Sequence, residues 1–241
     1  MKKLFAVCAF VAVSAVAACG STGGGGDSGS GCSGGGGCSG GGFDMAQYMI
    51  DAYKNGTQKA MYWVTVHADV EAGQYWETTT TSNYGGAETK TVMGWQCAKK
   101  DGDHAWIESD MGQGYILAYD VDLTKKIEDG ANVVKAWVGK KDAKAEEIQV
   151  MEYKKPEGGT TGEAPKYEMT TEDFKDVEMA GAKWSGKVTT VKGDGWESKT
   201  WMADNAWFGG MIKSWSKNAG GESTTELTKF GKDGKPWLNW S

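Results

Sequence analysis

Arginine is absent from this chain of 241 residues: its 26 basic side chains are all lysine, against 32 acidic ones. Arginine's planar fork is the favoured grip on phosphates, so an acidic chain without it is poorly equipped to hold nucleic acid, and none is expected as a partner. Histidine is nearly absent too. His67 and His104 lie on separate segments, each reading as a solvated side chain near a turn or on a polar strand face. A metal centre needs several ligands converging on one such residue, and no spacing here supplies them. No G-x-S-x-G elbow, phosphate loop or Ser/His/Asp pattern occurs, so no cofactor is implied and no catalytic residue is assigned. The chain is also short of long apolar runs. The stretch from Leu4 to Val13 cannot span a bilayer.

What is present begins at that stretch. Residues 1–18 have a basic tip (Lys2, Lys3), an apolar middle and small residues at the end, the layout of a secretory signal segment. Val16-Ala17-Ala18-Cys19 resembles the lipobox of bacterial lipoproteins, with valine where leucine is usual three residues before the cysteine. The resemblance implies cleavage before Cys19, acyl chains on its thiol and amine, and the membrane as a partner through that lipid. Gly20 in place of aspartate is similar to lipoproteins sorted to the outer membrane. The plainer alternative is an ordinary signal peptide cut after Ala18. Residues 19–42 are almost wholly Gly and Ser, a tether with nothing apolar to bury and a root-mean-square reach of roughly 25 Å. Cys32 and Cys38 within it form either a small disulfide loop or two independent thiols.

Residues 43–241 are enough for one well-buried domain. Losing Lys2 and Lys3 with the leader takes the formal charge from −6 to −8. "FDMAQYMIDAYK" (43–54) spaces Phe43, Ala46, Tyr48, Met49, Ile50 and Tyr53 by threes and fours for an amphipathic helix, with Asp44 as N-cap and Asn55-Gly56 as stop. Period two then takes over. A strand is expected over 61–70, with Tyr62, Val64, Val66, Ala68 and Val70 on one face. Further strands are expected in "QYWETTTTSN", in a hairpin turning at residues 100–103, in "GYILAYDVDL", "NVVKAWVGK" and "EEIQVMEY", and in the segments after residue 170. Residues 154–170, with two of the three prolines, read as a long surface loop or a linker. The fold class that follows is mainly all-β: ten or eleven antiparallel strands in one large curved sheet or half-barrel, with one short N-terminal helix.

The helix followed by a long meander resembles the half-barrel folds of bacterial periplasmic lipoprotein carriers, the LolA/LolB-like superfamily. "KTWMADNAWFGGMIKSWS" (199–216) resembles a strand-turn-strand of uncharacterised exported lipoproteins; Trp201, Phe208, Gly209 and Lys213 match, and Trp207 stands where proline is usual. That resemblance implies a fold and carries no catalytic residues.

Twelve tryptophans are the other conspicuous feature. Most suit a sheet core, yet Trp63 and Trp76 fall on polar strand faces, Trp207 and Phe208 share a turn, and Trp237 and Trp240 stand beside Pro236 near the last residue, an exposed apolar cluster of the kind that marks a binding surface. A concave groove is expected to hold Tyr115, Leu117, Tyr119, Val121, Trp184 and Val188, with Trp207 and Phe208 at its rim. The expected function is a non-catalytic, lipid-anchored envelope protein that takes an apolar or amphipathic ligand, or an envelope protein, on this surface. The alternative is a surface lipoprotein that recognises wall or exopolysaccharide through its tryptophans. An envelope hydrolase using the paired carboxylates Asp120 and Asp122 ranks last, because both alternate with apolar residues as an outward face does. Cys97 reads as a buried free thiol.

Overall fold

The structure, a computed structural model, describes residues 44–154 and 167–240. The signal segment, the tether with Cys19, Cys32 and Cys38, and residues 155–166 of the expected loop lie outside the described residues.

Helix α1 (Met45–Lys54) starts where its cap requires: the Asp44 carboxylate accepts the Gln47 backbone N–H at 3.0 Å. Its Ile50 and Ala52 are buried. Eleven strands follow: β1 (Tyr75–Tyr84), β2 (Ala87–Asp101), β3 (His104–Asp110), β4 (Ile116–Asp122), β5 (Val133–Gly139), β6 (Glu146–Ile148), β7 (Glu168–Met179), β8 (Ala182–Gly193), β9 (Trp196–Ala203), β10 (Met211–Asn218) and β11 (Gly221–Gly231). They form one sheet in the order β6-β5-β4-β3-β2-β1-β11-β10-β9-β8-β7, every strand antiparallel to its neighbours. Two meanders thus meet in the middle, where β1 pairs with β11 from Tyr75↔Gly231 to Tyr84↔Gly221. The sheet stays open, with β6 and β7 as its edges.

The strand expected over 61–70 does not form. The Asn132 side chain takes the role of a partner strand: its amide donates to the Val64 carbonyl and its oxygen accepts the Val64 N–H, both at 2.8 Å. With both Val64 backbone groups bonded this way, and the Tyr62 carbonyl accepting the Asn132 and Val133 N–H groups, the segment packs on the sheet and buries Val64 and Val70.

Three apolar clusters result. The first packs Ile50, Val64 and Val70 onto Cys97, Ile107, Tyr115, Leu117, Tyr119, Val121 and Val138. Tyr115, Leu117, Tyr119 and Val121 are therefore core residues, at most 3% exposed, and line no open groove. The reason is that α1 and the 60–70 segment cover that face, each buried apolar side chain contributing roughly 1.5–3 kcal/mol. The second cluster joins Trp76, Trp184, Ala203, Ala206, Ile212 and Leu227. Trp76, expected on a polar face, is buried because the second meander brings Trp184 and Phe230 to its ring, with centroids 5.5 and 6.2 Å away. The third lies on the other side of the first meander, where the C-terminal residues place Leu238 and Trp237 against Ile116, Ala118 and Trp137.

Candidate functional site

Strand alternation puts His104, Trp106 and Glu108 of β3 on one face, beside Ala118 and Asp120 of β4. The ladder register aligns Lys99, Trp106, Asp120 and Lys135 in a row across β2 to β5. Lys99 Nζ stands 4.6 Å above the Trp106 ring. Asp120 Oδ1 and His104 Nδ1 are 2.6 Å apart. That hydrogen bond raises the His104 pKa above its ordinary value, against the smaller opposing effect of burial. Asp120 is nearly buried while the imidazole is 41% exposed, so the pair presents its histidine edge to solvent.

The next row runs Gln96, Glu108, Ala118, Trp137 and Glu147. Trp106 and Trp137 are two strands and two residues apart, a separation of about 11–12 Å from sheet spacings. Trp240 meets Trp137 edge-on at 5.2 Å. The face therefore carries indoles on either side of a carboxylate–imidazole pair, with an ammonium group at each end of one row.

Glu108 holds this arrangement from below. Fully buried, it accepts the backbone N–H of Trp237 (2.6 Å) and Leu238 (3.1 Å), the Trp240 indole N–H (3.0 Å) and the Gln96 amide. Gln96 also donates to the Lys235 carbonyl at 2.9 Å. Two side chains of β2 and β3 thus clamp residues 235–240 onto the sheet. Gly94 makes the close approach possible, since a Cβ there would stand 2.8 Å from the Trp237 ring.

The eight residues expected to line a groove are not brought together. Four lie under α1, and Trp184 is buried in the second cluster. Val188 is half-buried opposite Trp201 on β9. Trp207 and Phe208 sit half-buried in the β9–β10 turn; Phe208 touches both clusters and Trp207 packs on Phe230 at 5.9 Å. Trp237, expected exposed, is half-buried against Gly94. Sequence reasoning missed Trp106, Trp137, the His104–Asp120 pair and Glu108. The alternation in "HAWIESD" places the β3 members on one face, but which β4 residue faces them depends on register. Among the described residues, no group of three or more His, Cys, Asp or Glu could hold a metal ion. No family model, curated protein or solved structure matches the chain.

Proposed function

We propose that this chain is a lipid-anchored protein of the bacterial cell envelope, tethered through Cys19, that recognises a glycan without transforming it. The supporting observation is the row Lys99–Trp106–Asp120–Lys135, with Trp137 and Trp240 beside it on an open sheet face. Sugar rings stack their C–H faces on indoles, while the exposed imidazole edge of His104 and the flanking ammonium groups hydrogen-bond the ring hydroxyls. The imidazole is held in place by Asp120, so little ordering remains to be done on binding. Outer-membrane sorting, read from Gly20, belongs to the same proposal. The apolar-ligand reading has less support, because four of the residues it relied on are covered by α1 and the 60–70 segment and Trp184 is buried in the second cluster.

Affinity electrophoresis and tryptophan fluorescence against soluble wall and capsular polysaccharides, with phospholipid vesicles in parallel, test the reading. Glycans should retard the protein, and Trp106→Ala with Trp137→Ala should remove that retardation without lowering the unfolding midpoint by more than a few degrees. Quenching by vesicles alone would return the apolar ligand to first place.

A further inference from the structure

Beyond both cores the strands around β1 and β11 run on as a single layer with solvent on each side. On one face the registers align Thr91, Thr80, Thr225, Ser214, Thr200, Thr189 and Thr171 across seven adjacent strands, β2-β1-β11-β10-β9-β8-β7. Two residues further out runs a second row, Thr89, Ser82, Ser223, Ser216 and Ser198, continued by Val191 and Met169. A third row at the rim holds Tyr84, Gly221, Asn218 and Trp196. Tyr84 and Trp196 are 43% and 42% exposed, and no residue of the three rows is buried. None of them is charged.

The reverse face of the same strands differs. It carries Lys90, Lys199, Lys213 and Lys217 with Glu88, Glu197, Glu222 and Glu226, including the Lys213–Glu226 ion pair at 2.7 Å, so that its own threonines, Thr81, Thr224, Thr190 and Thr170, stand among charges. Solubility alone is served by such a mixed-charge face, so it does not account for a neutral one.

We propose that the hydroxyl rows bind a single extended chain of neutral polysaccharide, with Tyr84 and Trp196 as stacking residues at the rim. This rests on the glycan-binding reading for the kind of partner, and assigns it a second face and an uncharged class. Each hydroxyl offers one donor and two acceptor lone pairs, so pairs already bonded to each other, such as Thr80–Thr225 and Ser82–Ser223 at 2.8 Å, keep capacity for a ligand. Successive hydroxyls within a row step from strand to strand by about 4.7–4.9 Å, close to the length of one ring in an extended glycan, so successive sugars meet successive strands. Sheet twist of roughly 20–25° per strand turns the surface by about 120° or more over the row. A single chain can follow that turn; a flat crystalline surface cannot. The absence of cations on this face selects against anionic polymers, which would be drawn to the lysines behind it.

The test is affinity electrophoresis in gels containing a linear neutral β-glucan or, separately, polygalacturonate. Replacing Thr80, Thr200 and Thr225 together by Val keeps the branched shape and removes the hydroxyls. That variant should bind the neutral glucan about tenfold more weakly, at an unchanged unfolding midpoint, while Thr81→Val on the reverse face leaves binding as it was. If the triple variant loses stability, single Thr80→Val and Thr200→Val proteins should each weaken binding about two- to threefold. Undiminished glucan binding by these variants overturns the inference, as does retardation of the parent protein by polygalacturonate alone. If Trp106→Ala with Trp137→Ala abolishes glycan binding and the threonine variants do not, this face is refuted and the aromatic face stands. The opposite pattern supports the hydroxyl face and refutes the aromatic one.

Discussion

Glu108 sits where a carboxylate is expensive to place, and four donors converge on its two oxygens. Glu108→Gln keeps one acceptor and turns an amide N–H₂ toward those donors. It should cost about 3 kcal/mol in urea unfolding, the range for stranding buried hydrogen-bonding groups. Tyr119 is the converse case. Its hydroxyl is buried with no hydrogen-bond partner among the described residues, and burial pushes its pKa well up. Tyr119→Phe should leave stability unchanged or raise it by up to about 1 kcal/mol, checked by the same titration. His104 gives a pH dependence. Its folded pKa is raised, so the stability it draws from Asp120 is complete below the ordinary histidine value of 6.5 and fades as pH rises through the higher folded value. The stability gap between wild type and His104→Gln should therefore be wider at acid pH than at alkaline pH. Because the ring is 41% exposed, the gap is expected to be small.

The β9–β10 connection shows how an element decides the standing of a residue. Phe208, Gly209 and Gly210 adopt successive left-handed conformations, with φ of 46°, 85° and 80°, which two glycines make affordable. This reversal delivers Trp207 to Phe230 and places Lys232 Nζ 5.8 Å from its ring. Trp207→Ala should therefore lower stability by roughly 2 kcal/mol in urea unfolding, while glycan binding by the Trp106 face stays intact. The C-terminal residues 235–240 act as a strap of similar consequence. The strap covers Ile116 and Ala118 and presents Trp240 next to Trp137, so part of the proposed site is contributed by the last residues of the chain. "KPWLNWS" reads as an aromatic cluster in sequence; that it lies on β2 and β3 follows from Gln96, Glu108 and Gly94, some 130 residues away.

Across the whole molecule, the two meanders are held by β1 and β11, the first and last strands of the sheet's chain order. The apolar clusters are built from side chains of α1, the strands and the segments that cover them. On the proposed anchoring, Cys19→Ser should release the protein from membranes in fractionation while its urea unfolding midpoint stays the same. Continued pelleting of the variant with membranes would refute the tether-and-anchor reading.

Local pattern by itself determined the helix with its Asp44 cap, most of the strands, their antiparallel pairing and the single large sheet. Period-two and period-3.6 spacing, with turn residues between, act over a few residues and leave their mark in order along the chain. The strand expected over 61–70 failed because its alternation serves packing alone: Asn132, far along the chain, takes both backbone groups of Val64 that a neighbouring strand would have paired. Tertiary structure alone decided which apolar face is covered. It filled the expected groove at Tyr115, Leu117, Tyr119 and Val121, set Trp106 across from Asp120, and aligned seven hydroxyl residues from strands as distant as β2 and β7. Register and covering arise from contacts between residues far apart in sequence, and a one-residue slip exchanges the two faces, so no stretch of the chain encodes either one alone.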